Sequence, residues 1–400
     1  MKTVLSASLV LVCVVGDALG EDWPRWRGPR LNGISSEKNW NANWSSDGPR
    51  QAWDARVGKG YSSFAVANNR VYTQGNTSNQ DSIFCFDATT GRQLWKHTYA
   101  EPLAPRSYQG GTSATPVVDA GKVYTLAKSG LVHCLDAATG TVAWKLNVLT
   151  ATNAKKPTWG VGSSPLILGN YLFLNAGSMG TALDKRTGRI LWKSRGTATA
   201  GYSTPVPYRA GNTTALALFS QKAVIGVNAS SGALLWQFPW KTSYDINAAD
   251  PVVNGQDIFV SSGYGSGGAL LRLTGSGPRQ VWKNKALRAQ FNSPVLIGGH
   301  LYGIDDNQRR FTLKCIELAT GREKWKGDNI SALMAAGDKL ICQGETGELY
   351  VVAANATQYR KLAETKVFRE PSWTTPVLAN GRIYCRGAAG TVVCLDVRAN

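Results

Sequence analysis

The 400-residue chain sets 44 Lys and Arg against 26 Asp and Glu, a formal net charge of +18, and is rich in Gly (43), Trp (14) and Tyr (14). Long stretches of Ala, Leu, Glu and Lys are missing, which excludes a helical bundle and favours strands and turns. The positive charge forms no Lys/Arg-rich run and accompanies no RNA-binding aromatic motif. That argues against nucleic acid and leaves an acidic protein, anionic polysaccharide or lipid head groups as partners.

At the start, Lys2 precedes an apolar run over 4–15 and the small-residue triplet Ala18-Leu19-Gly20, followed by the polar Glu21-Asp22. This layout predicts a secretory signal peptide over residues 1–20, cut after Gly20. The run is shorter than the roughly 20 residues that span a bilayer. Cys13 lacks the small residue that should precede a lipid-accepting cysteine. No later segment reads as transmembrane, so the mature chain is predicted to be exported, periplasmic or extracellular, and monomeric.

From residue 48 onward one pattern returns. "DATTGRQLW" (87–95), "DAATGTVAW" (136–144), "DKRTGRILW" (184–192), "NASSGALLW" (228–236) and "ELATGREKW" (317–325) share a turn and a terminal tryptophan, and a stretched copy, "LTGSGPRQVW", ends at Trp282. With Trp53, the series Trp95, Trp144, Trp192, Trp236, Trp282 and Trp325 is spaced by 42 to 49 residues. Such a period with strand-like content predicts a propeller with one four-stranded blade per repeat. Each unit reads as an inner strand after Ser/Thr-Pro, a second strand after a Gly or Asn turn, a third, and a fourth that follows Asp-x-x-Thr-Gly. The Asp or Asn can bond nearby amides, and Gly supplies a positive φ. The tryptophans are expected to pack one blade on the next.

Inner strands are predicted near Phe64, Pro116, Pro165, Pro205, Pro251, Pro294, Leu333 and Pro376, which makes the fold class all-β, an eight-bladed propeller over 48–400. The seventh copy loses both Gly and Trp. The eighth stops at "TVVCLDVRAN" with three strands, and "GPRQAWDAR" from the start of the domain is predicted to supply the fourth, so that no sheet edge is left open. Six cysteines remain in the mature chain: Cys85, Cys134, Cys315, Cys342, Cys385 and Cys394. Most read as small buried hydrophobes, and only Cys385 and Cys394 could sit diagonally on one hairpin. No C-x-x-C spacing and only three scattered histidines argue against zinc.

The Asp-Ala-x-Thr-Gly-x-x-x-Trp tail resembles the tryptophan-docking motif of the quinoprotein-type repeat family, over roughly 48–400. Residues 22–35, "DWPRWRGPRLNGIS", are similar to the leader that often precedes such propellers, and the extension 21–47 is therefore expected to pack across the ring. The family divides between pyrroloquinoline-quinone (PQQ)- and calcium-dependent dehydrogenases and a non-catalytic branch that includes BamB-like scaffolds. The resemblance to the enzymes implies adjacent cysteines over the quinone and carboxylate and amide ligands for calcium. The sequence has no Cys-Cys pair, and Asp245, Asn247 and Asp250 come closest to ligands. Calcium takes six to eight oxygens, and Asp and Asn in loops ordinarily cap turns. No cofactor, metal or catalytic residue is therefore expected.

Segments just before the inner strands carry Tyr61, Tyr108, Trp159, Tyr202, Tyr244, Phe291 and Trp373, together with Lys59, Arg106, Lys155, Lys156, Arg288 and Arg369. In a propeller these segments crowd one end of the central channel, so an aromatic, cationic collar is predicted there. Such a collar suits a flat anion, a sugar polymer or an acidic loop of a partner. The function read from the sequence is a rigid binding platform for a protein or an envelope or polysaccharide component. The alternative is a PQQ- and calcium-dependent dehydrogenase oxidising an alcohol or sugar.

Overall fold

In the computed structural model, which describes residues 20–45, 47–194, 199–307 and 310–399, each repeat folds into a four-stranded antiparallel sheet. The predicted signal peptide lies outside the described residues except for Gly20. Among the described residues, blades 1 to 7 run from inner to outer strand as Ala65–Ala67 to Gln93–Ala100, Val117–Asp119 to Val142–Asn147, Leu166–Leu168 to Ile190–Lys193, Val206–Ala210 to Leu234–Pro239, Val252–Asn254 to Gly277–Asn284, Val295–Ile297 to Glu323–Lys326 and Ile330–Ala336 to Lys361–Lys366. Blade 8 takes Val377–Ala379, Arg382–Arg386 and Thr391–Asp396 from the end of the chain and Gln51–Arg56 from its beginning. Trp53 lies opposite Cys394 in that last antiparallel pair, which closes the ring. The one helix among the described residues, Val148–Thr152, is a single turn capped by the Asn147 side chain.

The turn and the tryptophan belong to one contact. Trp95 donates its indole N–H to the Ala137 carbonyl of blade 2 at 3.0 Å, and Trp53, Trp144, Trp192, Trp282 and Trp325 reach Ala88, Lys185, Ala229, Leu318 and Asn355 in the same manner. Under the rings of Trp53, Trp95, Trp144, Trp192 and Trp282 lies the glycine of the neighbouring Thr-Gly or Ser-Gly turn, whereas Trp325, beside the copy that has lost this glycine, meets Tyr359. Gly140 has φ +75°, and a Cβ there would stand 2.7 Å from Trp95, so this turn needs glycine for its conformation and for the ring above it. Trp236 departs from the pattern because the stretched copy in blade 5 offers no such turn; it donates instead to Tyr208 of its own blade.

Ser/Thr-Pro also has a structural reason. The backbone N–H of Ser63 donates to Thr115 Oγ1, that of Thr115 to Ser164 Oγ, and that of Ser164 to Thr204 Oγ1. Thr204 then donates to Asp250 Oδ1 and Asp250 to Ser293 Oγ, so a belt of hydrogen bonds links successive blades around the channel. The six cysteines among the described residues are free and buried, and Cys394 faces Tyr384 rather than Cys385. The blade-7 repeat, degraded in sequence, forms a complete sheet and gains a fifth strand, since Ile34–Ser35 of the leader pairs in parallel with Ala335 and Ala336. No helix among the described residues is long and apolar enough to cross a membrane.

Candidate functional site

The inner strands all run the same way along the channel, so their starts define one face and their ends the other. The leader enters at the far face: Trp23 bridges Val66, the Pro24 carbonyl accepts from Val118, and Arg25 donates to the Ile167 carbonyl. It then dips into the channel. Trp26 donates to Asp250 Oδ2 at 2.6 Å, and the buried Arg27 guanidinium donates to the carbonyls of Ser293, Pro294, Asn32 and Leu31. Arg27 and Leu31 both hold positive φ, which costs non-glycine residues energy. Burial pushes the Asp250 carboxyl above its ordinary range, with Arg27 opposing, and the same burial lowers Arg27. The space left between Trp26, Arg27, Ser63, Leu333, Met334 and Thr375 is about 10 Å³, room for one water at most.

At the opposite face, the starts of the inner strands carry the aromatic rim. Phe291 stacks on Trp373 with ring centroids 5.9 Å apart, Trp373 on Tyr61 at 5.3 Å, Tyr61 meets Tyr108 at 5.7 Å, and Tyr108 meets Trp159 at 6.0 Å. Tyr202 closes the arc by accepting the Trp159 backbone N–H. Tyr244 is not part of it: that ring stands apart, edge-on to Tyr264 at 4.9 Å. Of the predicted cations, Arg106 lies over the Trp159 ring, while Lys59, Lys155, Lys156 and Arg369 are exposed. Arg288 is committed to structure, because its guanidinium grips Asp305 through two bonds of 2.8 and 2.5 Å. That grip raises Arg288 and, against the effect of burial, holds Asp305 below the usual carboxylate range.

Residues that the sequence did not single out sit beneath the rim between blades 1 and 2. Lys128 donates to the Tyr108 hydroxyl, Asn76 donates to Asp81 at 2.7 Å, and Ser129 donates through its backbone and hydroxyl to the Glu101 carboxylate. Asp81, Glu101 and Lys128 are all buried. Burial lowers Lys128 to about 8, raises Asp81 to about 6 and raises the Tyr108 phenol to about 12. Asn76, Asp81, Lys128 and Ser129 lie at hairpins between the second and third strands, and Glu101 follows the outer strand of blade 1; neither place carries a repeat signature.

The cluster predicts a pH effect. In the unfolded chain Asp81 titrates near 3.8, and in the folded protein near 6, so the folded state holds the extra proton between those values. Asp81 therefore costs stability, in full above pH 6, and the cost disappears as the pH falls towards 4. Asp81→Asn is expected to stabilise the protein by about 1–3 kcal/mol at pH 7.5, with a smaller difference at pH 4.5. Paired melting curves at the two pH values check this, and destabilisation at pH 7.5 would show that the charge supports the fold.

The quinone and calcium of the family's enzymes do not fit these residues. Asp245 accepts from Gln221, the Asn247 side chain is shared between the Gln221 carbonyl and Ser262, and Asp250 holds the leader. No group of three or more His, Cys, Asp or Glu among the described residues could hold a metal ion. The leader's own side chains fill the axis, and Arg288 is not free to meet a ligand carboxylate.

Comparison with known proteins places this architecture. The chain is 23% identical over 367 residues to the outer membrane protein assembly factor BamB of Yersinia pestis, covering 86% of this chain and 88% of the relative. Among solved structures, BamB from Moraxella catarrhalis superposes with a TM-score of 0.64 at 14% identity, covering 88% of this chain and 98% of that one. A europium-containing methanol dehydrogenase superposes at 0.69 and 11% identity, covering 94% and 89%, a likeness of fold alone. The family model described as outer membrane protein assembly factor BamB matches residues 79–327, and the chain belongs to that family of quinoprotein-type repeat propellers.

Proposed function

We propose that this chain is an exported, periplasmic scaffold that binds a protein through its aromatic rim and carries out no chemistry. The carrying observation is the division of the channel. One end is filled by Trp26 and Arg27 of the leader, while the other presents aromatic rings and exposed cations on a stiff, belted ring. A surface of this kind suits protein recognition, where aromatic residues and Arg contribute most per residue. The kinship to assembly-factor relatives supports a protein partner ahead of a polysaccharide. Monomeric behaviour goes with the proposal, since the ring closes on itself.

Site-specific photo-crosslinking tests it in the host. A photoreactive residue at Phe291 or Arg106, on the rim, is expected to yield a discrete crosslinked protein. The same residue at Thr89, in an exposed turn of the opposite face, is expected to yield none. Equal capture from both faces sinks the rim assignment. Titration with pyrroloquinoline quinone and calcium, followed by tryptophan fluorescence, is expected to give no saturable change; tight calcium-dependent binding would instead point to the dehydrogenase reading.

A further inference from the structure

We propose that the sector of blades 4 and 5, up to the start of blade 6, is the docking surface, and that its occupant is an extended, acidic protein segment bearing apolar side chains. This rests on the scaffold reading and narrows it to one sector and one partner chemistry.

Among the described residues the exposed large hydrophobics are Leu234, Leu235, Tyr244, Tyr264, Val281 and Phe291, each 38–65% exposed. All six fall within 58 of the chain's 400 residues, 234–291. Leu234 and Leu235 open the outer strand of blade 4, which leads through Trp240 to the connection that carries Tyr244. Val281 lies on the outer strand of blade 5, Tyr264 in its second hairpin, and Phe291 in the connection to blade 6. Lys283 of blade 5 lies over the Trp240 ring of blade 4, so the two outer strands meet. Tyr244 and Tyr264 meet at 4.9 Å, and exposed apolar groups concentrated on two adjacent blades mark an interaction surface.

The charge of the sector selects the partner. Residues 206–291 hold eight Lys or Arg and three Asp or Glu. Of the three acids, Asp250 is buried under the leader, Asp257 is gripped by Arg272, and Asp245 accepts from Gln221. Lys222, Lys241, Arg279, Lys283 and Lys285 remain exposed. A basic, apolar strip calls for acidic and apolar groups on its ligand.

A sugar polymer fits less well. Trp373 has Tyr61 and Phe291 stacked nearly parallel to it, at 16° and 13°, so its ring is engaged by neighbours. The aliphatic Leu234, Leu235 and Val281 offer a hydrated glycan little. The outer strands of blades 4 and 5 are free sheet edges, which suit an extended chain.

The test uses a labelled synthetic peptide alternating Asp or Glu with Leu or Phe, read by fluorescence anisotropy against the mature protein. Comparison probes are the same peptide with Lys replacing the acids, polygalacturonate, and vesicles containing an anionic phospholipid. The acidic peptide is expected to bind, more weakly as salt rises. Both Lys241→Glu/Lys285→Glu and Tyr244→Ser/Phe291→Ser are expected to weaken it about tenfold, with unchanged melting curves. Arg92→Glu/Lys145→Glu, on the exposed outer parts of blades 1 and 2, is expected to leave it within twofold. Equal loss in this last variant, or tighter binding of polygalacturonate or vesicles, overturns the proposal. Crosslinks from Arg106 without any from Phe291 would remove this sector and keep the scaffold; crosslinks from neither would remove both.

Discussion

Deleting residues 48–57 is expected to replace a single cooperative melting transition with a broad one, or to leave no folded protein at all. The segment supplies the outer strand of blade 8, and its Trp53 is buried against Phe86 and Tyr384 while donating to the Ala88 carbonyl of blade 1. Loss of one such buried ring costs about 3–5 kcal/mol, and here a whole strand ladder goes with it. Domains of this kind have about 5–15 kcal/mol in total. The cut also opens the seam at which the buried Arg386 of blade 8 donates to the carbonyls of Ser62 and Gly58. Differential scanning calorimetry decides the matter: an unaltered transition would mean that the ring does not depend on this closure.

Asp250→Ser is expected to free the leader while sparing the ring. Thr115, Ser164, Thr204 and Ser293 occupy the equivalent place before proline, and Ser164 Oγ accepts a neighbour's N–H as Asp250 Oδ1 does. Serine at 250 therefore keeps the belt. It withdraws the second oxygen that holds Trp26 and the negative charge that faces Arg27. Leaving a buried guanidinium without its opposing charge costs about 3–5 kcal/mol. Released leader should become roughly 100-fold or more accessible to trypsin at Arg25, Arg27 and Arg30 under native conditions, with the main thermal transition retained. A leader as resistant as in the unsubstituted protein would show that Asp250 is not its anchor.

The blades were legible because a repeated need leaves a repeated residue: a glycine under the packing ring, as at Gly140 and Trp95, recurs under Trp53, Trp144, Trp192 and Trp282. The rim was legible in part for the same reason, since Tyr61, Tyr202, Phe291 and Trp373 hold one offset from the inner strand. An offset places a residue without naming its partner, which is why Arg288 read as a free cation although Asp305 claims it. Tyr244 read as one of the arc although it pairs with Tyr264. Asp81 and Lys128 meet only across two blades and occur once, so no period announces them. Asp250 did carry a signal, an acid in a place where six of the other repeats have Ser or Thr. Its meaning depended on Trp26, 224 residues away, which no local pattern connects to it.

The leader also gives the molecule a front and a back. Gly20 lies against Asn380, in the hairpin that ends the inner strand of blade 8, and the carboxyl-terminal stretch returns to the same place through the bond from Val397 to Gly381. Both ends of the described chain thus depart from the face opposite the aromatic rim. A tag, a surface linkage or a fusion partner attached at either end would hold the propeller by its back and turn the rim outward, so immobilisation through the termini leaves the docking surface open to whatever is passed over it.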